Sequence, residues 1–295
     1  MARRPVHLLI AAALAVTSTA CTAPDTAKTG EASMPARTEL SVGHIHGVDL
    51  NTDDGAVYVA THRGLYRVEA GRSVRVAQHV QDTMGLTIVG PDRFLVSGHS
   101  DPAQAAPAHL GLVASDDGGK TWIPVGLSGQ ADFHALSAAG VTIYGFDSLT
   151  ATVMRSDDGG KGWQRGARFV MTDLDVDPEN PMHVVSATAA TVQESHDGGM
   201  TFTAVTPQPP RPLALLDHVP CTGSSDRDPV LVGVDEAGGI WALDARGWQP
   251  VGIVPGRPAA FTVIAPDRYL AATEAEVFGS DDAGRSWNLL AHMSR

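Results

Sequence analysis

Cysteine is almost missing from this chain, which has only Cys21 and Cys221. Only Cys221 remains besides Cys21, so no internal disulfide framework is expected and the body must be held by packing. Aromatic residues are few, at 5 %, and no long amphipathic helical pattern stands out, which argues against a helical bundle. Basic residues are outnumbered, 21 Lys and Arg against 33 Asp and Glu, for a net charge of −12. That balance argues against nucleic acid as a partner and against adsorption to anionic lipid. Long apolar runs are also lacking: Leu8–Val16 is too short to span a bilayer. What is plentiful is glycine, with 31 residues, and that suits many short strands joined by tight turns.

The N-terminal run has the layout of a secretory signal over residues 1–20: Arg3 and Arg4, the apolar stretch, then Thr17, Ser18, Thr19 and Ala20. A cysteine directly after such a segment resembles the bacterial lipobox, with Ser18 standing where Leu is usual. The resemblance implies export across the bacterial plasma membrane, lipidation of Cys21, and anchoring on the outer face. Residues 21–40, rich in Ala, Thr, Pro and Glu without an apolar period, are expected to be a flexible tether. Residues 41–295 remain as the folded domain, long enough to bury a substantial core.

That body repeats itself. Four segments follow the pattern S-x-D-x-G-x-T-W: Ser115, Asp117, Gly119 and Trp122; Ser156, Asp158, Gly160 and Trp163; Ser195, Asp197, Gly199 and Phe202; Ser280, Asp282, Gly284 and Trp287. In each, the Asp is expected to bind turn amides, the glycines to take positive φ, and the aromatic to pack between repeats. Weaker copies stand at Leu65–Gly71 and Asp244–Trp248. The six positions recur every ~40 residues, the length of one four-stranded blade. The match of Thr87–Leu95 with Thr262–Leu270 supports that register, and the expected architecture is an all-β, six-bladed β-propeller.

On these boxes the chain resembles the Asp-box, or bacterial neuraminidase repeat, propellers, which include sialidases and sialidase-like glycosylhydrolases. It looks most like small secreted members, through His44-Ile45-His46-Gly47, Ala60-Thr61-His62 and Asp132-Phe133-His134-Ala135-Leu136. The resemblance implies that the boxes are structural and that ligands bind on the opposite face, at the mouth of the central channel. Aligned blades put His46, Met84, His134 and Asp173 at one innermost-strand position, and His44, Asp82, Asp132 and Met171 two residues earlier. At the ends of the second strands lie His62, His99, Asp147, Ala189, Asp235 and Glu274, and His109 sits on an insertion that can fold over the same mouth.

Imidazole, thioether and carboxylate make a metal-ligand inventory. The candidate metal or ligand residues are therefore His44, His46, His62, Met84, His99, His134, Asp147 and Asp173. Met84 beside histidines leans towards copper, while His with Asp suits zinc equally. The competing reading is that Met84 is core and the histidines line a wet channel. A glycoside hydrolase is the alternative class, with Asp132, Asp147, Asp173 or Glu274 supplying the carboxylate pair and a glycan as ligand. The resemblance to sialidases would require an Arg triad. Only Arg63 and Arg155 are available for it, and neither Tyr58 nor Tyr144 has a Glu partner in the repeat alignment. A protein-interaction or assembly scaffold is a third class.

Overall fold

A computed structural model describes residues 42–77, 81–101, 106–220 and 230–293. The expected signal, the tether, Cys21 and Cys221 lie outside the described residues. The body, Glu39–Arg295, forms one compact unit. Among the described residues the secondary structure is all β. The strands come in consecutive four-stranded antiparallel meanders. The first is β1 (Ile45–Leu50), β2 (Val57–Thr61), β3 (Gly64–Glu69) and β4 (Arg72–Arg75); the second is β5 (Asp82–Gly90), β6 (Arg93–His99), β7 (Leu112–Ser115) and β8 (Ile123–Gly126). Next come β9 (Phe133–Ala139), β10 (Thr142–Asp147), β11 (Thr152–Ser156) and β12 (Gln164–Arg168), then β13 (Asp173–Val176), β14 (Val184–Ala187), β15 (Val192–Ser195) and β16 (Thr203–Ala204). The last two are β17 (Leu213–His218), β18 (Leu231–Asp235), β19 (Gly239–Asp244) and β20 (Gly247–Ile253), and β21 (Ala260–Ala265), β22 (Arg268–Ala272), β23 (Glu276–Ser280) and β24 (Asn288–His292).

Four of these meanders are separate four-stranded sheets. The first and last share one eight-stranded sheet, in which β4 meets β24 through the single parallel pair Arg72–His292. Apolar clusters fill the spaces between successive meanders. Small residues let the layers close: Gly145 faces the Phe133 ring so tightly that a Cβ there would lie 2.5 Å from it.

The four repeated turns close the hairpins β7–β8, β11–β12, β15–β16 and β23–β24. In each, the Ser hydroxyl accepts the amide of the second glycine, as from Gly119 at 2.8 Å and Gly199 at 2.9 Å. It also donates to the Asp carboxylate, at 2.8 Å in the first and third turns. The same carboxylate accepts the amide four residues on, from Thr121, Gly162, Thr201 and Ser286. Where a hydroxyl stands at that fourth position it adds a second bond, and hydrogen bonding from Thr121, Thr201 and Ser286 holds Asp117, Asp197 and Asp282 down at about 2. Trp122, Trp163, Phe202 and Trp287 then pack into the cluster shared with the preceding meander. An amide of each turn also reaches back to the loop joining its first two strands: Gly118 to Asp92, Gly159 to Val141, Gly198 to Met182 and Ala283 to Asp267.

Candidate functional site

The innermost strands β1, β5, β9, β13, β17 and β21 together line a cavity of about 320 Å³. Carboxylates on this lining bond amides of the next inner strand: Asp49 to Ile88, Asp173 to Leu216, Asp175 to His218 and Asp217 to Val263, all within 2.7–2.9 Å. Burial pushes Asp49 up to about 6 and Asp173 up to about 7. It drives Asp217 up as well, reinforced by the charge of Asp175 beside it. For Asp175 burial works the same way but is outweighed by its hydrogen bond and ion pair with His218, so its pKa is lowered.

The histidines gather where the inner strands begin, and the backbone explains how. The β1–β2 register slips between Ile45 and Gly47, leaving His46 as the extra residue of a bulge. The same slip leaves out Met84 in β5, His134 in β9 and Ala214 in β17. A bulge bends its strand and re-aims the unpaired side chain. The second strand of each meander ends beside this point. Gly98, at φ 142°, lets β6 run so close to β5 that a Cβ would lie 2.0 Å from the Asp82 carbonyl oxygen, and this seats His99 against Asp82. The insertion returns through a bridge between His99 and His109, which brings His109 to the same place.

The side chains form two linked groups. His46 Nε2 and His62 Nδ1 are 3.2 Å apart, and Asp82 Oδ1 lies 2.7 Å from His62 Nδ1 and 3.7 Å from His46 Nε2. The other Asp82 oxygen meets His99 Nδ1 at 3.1 Å. His99 Nε2 faces Asp132 Oδ2 at 3.3 Å, and that oxygen also meets His134 Nε2 at 3.1 Å, His109 Nδ1 at 3.7 Å and the Ser148 hydroxyl at 3.0 Å. Burial and the neighbouring His62 lower His46 to about 4, so its ring is neutral at pH 7. Burial would raise Asp132, but hydrogen bonds and charge from His134, Ser148 and His99 outweigh it and its pKa is lowered. Three buried atoms of the cluster, Asp82 Oδ1, His109 Nδ1 and Asp132 Oδ1, have no hydrogen bond of good geometry.

The remaining sequence candidates stand apart from this cluster. His44 is exposed, with its ring edge-on to His62 at 5.3 Å. Met84 lines the cavity. Asp147 is fully buried and its carboxylate accepts from Asp132 N, Leu149 N and the Thr150 hydroxyl, so it holds the β10–β11 turn. Asp173 lies on the cavity wall and ties β13 to β17. Glu274 is exposed in the β22–β23 turn. Arg155 pairs with Asp157 at 2.7 Å and touches Met182, at the far end from the mouth histidines. Asp82 belongs to the cluster although it is not among the sequence candidates. Its signal was its position two residues before the bulge, which it shares with Asp132.

No family model matches the chain, and no curated protein matches it in sequence. Solved structures do match. A GH74 enzyme of Niastella koreensis aligns over 84 % of this chain with 16 % identity and a TM-score of 0.58. The nidogen/laminin complex aligns over 81 % at 13 % identity and a TM-score of 0.59. YCF48 bound to D1 peptide aligns over 85 % at 15 % identity and a TM-score of 0.52. The chain is an all-β propeller. It spans 45 % of the GH74 chain, 93 % of the nidogen/laminin chain and 81 % of the YCF48 chain, and at these identities the likeness is one of fold alone.

Proposed function

We propose that this propeller binds a transition-metal ion, zinc or copper, at its channel mouth through His46 Nε2, His62 Nδ1 and Asp82 Oδ1. The observation that carries this reading is the convergence of three ligand atoms at 2.7–3.7 Å. One ring nitrogen, His62 Nδ1, faces both His46 Nε2 and Asp82 Oδ1, so a single proton there must be shared between two acceptors. A cation serves all three. Ligand atoms on a tetrahedral zinc with bonds near 2.0–2.1 Å lie about 3.3 Å apart, close to the 3.2 Å between His46 Nε2 and His62 Nδ1. His99, His109 and Asp132 form a second trio of the same kind, joined to the first by His99.

Two further readings belong to this proposal. The eight-stranded sheet is taken as two blades clasped by their outer strands, giving six blades of the Asp-box type. Lipidation of Cys21 holds the domain on the outer face of the plasma membrane. Glycan hydrolysis, suggested by the GH74 neighbours, has less support at the mouth, because the carboxylates of Asp132 and Asp147 are already engaged by histidines and turn amides.

Metal-free protein titrated with Zn²⁺ and Cu²⁺ by calorimetry, with bound metal counted, tests the site. Stoichiometric binding is expected, weakened at least ~10-fold in His62→Ala and Asp82→Asn. Absence of stoichiometric binding, or full affinity in Asp82→Asn, would overturn it.

A further inference from the structure

The opposite end of the propeller carries a second cluster, on the meander β13–β16. His183 Nε2 and Glu194 Oε2 are 3.5 Å apart, and His196 Nε2 lies 3.3 Å from the same Glu194 oxygen. All three ligand atoms fall within 4.8 Å of one another. The His183 and His196 rings are stacked, with centroids 4.6 Å apart and planes 3° from parallel. Asp177 Oδ2 meets the other nitrogen of His183 at 3.4 Å, the outer carboxylate that fixes a ligating imidazole so that Nε2 presents its lone pair.

The internal repeat shows how unusual this is. The residue after the Ser of the repeated turn is Asp116, Asp157 and Asp281 in three blades but His196 in this one. The residue opposing it follows the carbonyl that accepts the turn amide, and is Arg93, Thr142, Arg268 and, here, His183. The other three blades pair these positions by charge or hydrogen bond, as Arg93–Asp116 at 3.4 Å, Thr142–Asp157 at 3.3 Å and Arg268–Asp281 at 3.5 Å. Only in this blade do two imidazoles and a carboxylate replace that pair.

A second observation points to a ligand. His183 Nε2 is buried and makes no hydrogen bond of good geometry. Beside it, 5.2 Å away edge-on, sits His218, 7 % exposed, whose Nδ1 bonds Asp175 at 2.8 Å while its Nε2 is likewise buried without a partner. The in-plane lone pairs of two parallel rings do not meet at one point, so an ion here requires the 66 %-exposed His196 ring to turn out of the stack towards His183 Nε2 and Glu194. We infer that His183, Glu194 and His196 form a second binding site for a zinc-class divalent ion, on the face away from the mouth. The two imidazole–carboxylate separations, 3.5 and 3.3 Å, match those of ligands around one such ion, ~3.3 Å for tetrahedral bonds. With three protein ligands, the remaining position is open to solvent or an added donor.

The test is a zinc count on the full chain. Metal-free protein is loaded with Zn²⁺, dialysed, and its zinc per chain measured for wild type, His196→Ala, Glu194→Gln and His62→Ala. His196 is 66 % exposed and the turn bonds of Ser195, Asp197 and Thr201 do not use its ring, so His196→Ala is expected to fold. His196→Ala and Glu194→Gln should each lose one zinc per chain, and His62→Ala combined with His196→Ala should lose the mouth ion in addition. If His62→Ala changes nothing while His196→Ala loses one ion, the mouth reading fails and this site stands. An unchanged count in both His196→Ala and Glu194→Gln overturns the site. So does an equal loss in His292→Ala, an exposed His–Glu pair with Glu276 at 3.3 Å that offers only surface binding.

Discussion

Replacing Asp49 by Asn should reverse its effect on stability between acid and alkaline pH. Burial lifts the Asp49 carboxyl from 3.8 to about 6. Below pH 3.8 both folded and unfolded chains are protonated there and no penalty exists. As pH rises towards 6 the unfolded chain ionises first and stability is lost; above that the penalty is constant. At 1.36 kcal/mol per unit the ceiling is about 3 kcal/mol. Asp49 borders the channel cavity, and contact with channel water reduces the figure, to about 2. The two Asp49 oxygens accept from Leu50 N at 2.7 Å and Ile88 N at 2.8 Å. Asn keeps a single acceptor, so one bond is lost, at about 1 kcal/mol. The variant should therefore be more stable by about 1 kcal/mol at pH 8, a rise in Tm of roughly 2–4 °C. Near pH 4 it should be less stable by about 0.5–1 kcal/mol. Urea melts followed by tryptophan fluorescence at both pH values measure this. A variant destabilised equally at pH 4 and pH 8 would refute the reasoning, because the cost would then lie in hydrogen bonding alone.

The remaining predictions concern the mouth and its setting. Gly98→Ala introduces a Cβ 2.0 Å from a backbone oxygen at φ 142°, so β6 must leave β5 locally. The expected results are a loss of about 1–3 kcal/mol and weakened metal binding with His62 and Asp82 intact; wild-type affinity would show that His99 and its strand do not matter to the site. Cys21→Ser should move the protein from the membrane to the soluble fraction of the producing cell, and a variant still held by membrane would count against a lipid on that residue.

Part of this was legible in one dimension and part was not. The repeated S-x-D-x-G turns announce themselves because each is a local unit: Ser, Asp and the glycines satisfy one another within a few residues, whatever the neighbouring blades do. The alignment of His46, Met84 and His134 was also readable, since antiparallel pairing puts strand starts and strand ends together. Its cause was hidden, because a bulge is a mismatch of two registers and leaves no fixed residue type behind. Asp147 and Asp235 show the converse limit. They occupy the same second-strand end as His62 and His99, yet they accept turn amides and are part of the scaffold. Position alone does not separate a carboxylate that holds a turn from one that faces a histidine.

The two clusters differ in what kind of contact creates them, and this decides which of them a sequence exposes. At the mouth, His62–Asp82 and His99–Asp132 join residues of different meanders, so the group exists only when neighbouring sheets close. The second cluster lies within one meander, where His183 precedes β14, and Glu194 and His196 flank Ser195 at the end of β15. Pairing of Val184 with Ser195 fixes that proximity without help from the rest of the ring. Its sequence signal was the single departure of His196 from a position where every other repeated turn carries Asp. In a repeat that otherwise pairs Arg or Thr with Asp, this blade sets two imidazoles on one Glu194 oxygen, which ring protons serve in the free protein and a cation would serve through the ring lone pairs. The mouth has the same composition, with several ring nitrogens gathered on the carboxylates of Asp82 and Asp132. If a cation sits between histidine and carboxylate at each end, as proposed, zinc should raise Tm through each end separately, and His62→Ala and His196→Ala should each remove a part of that rise.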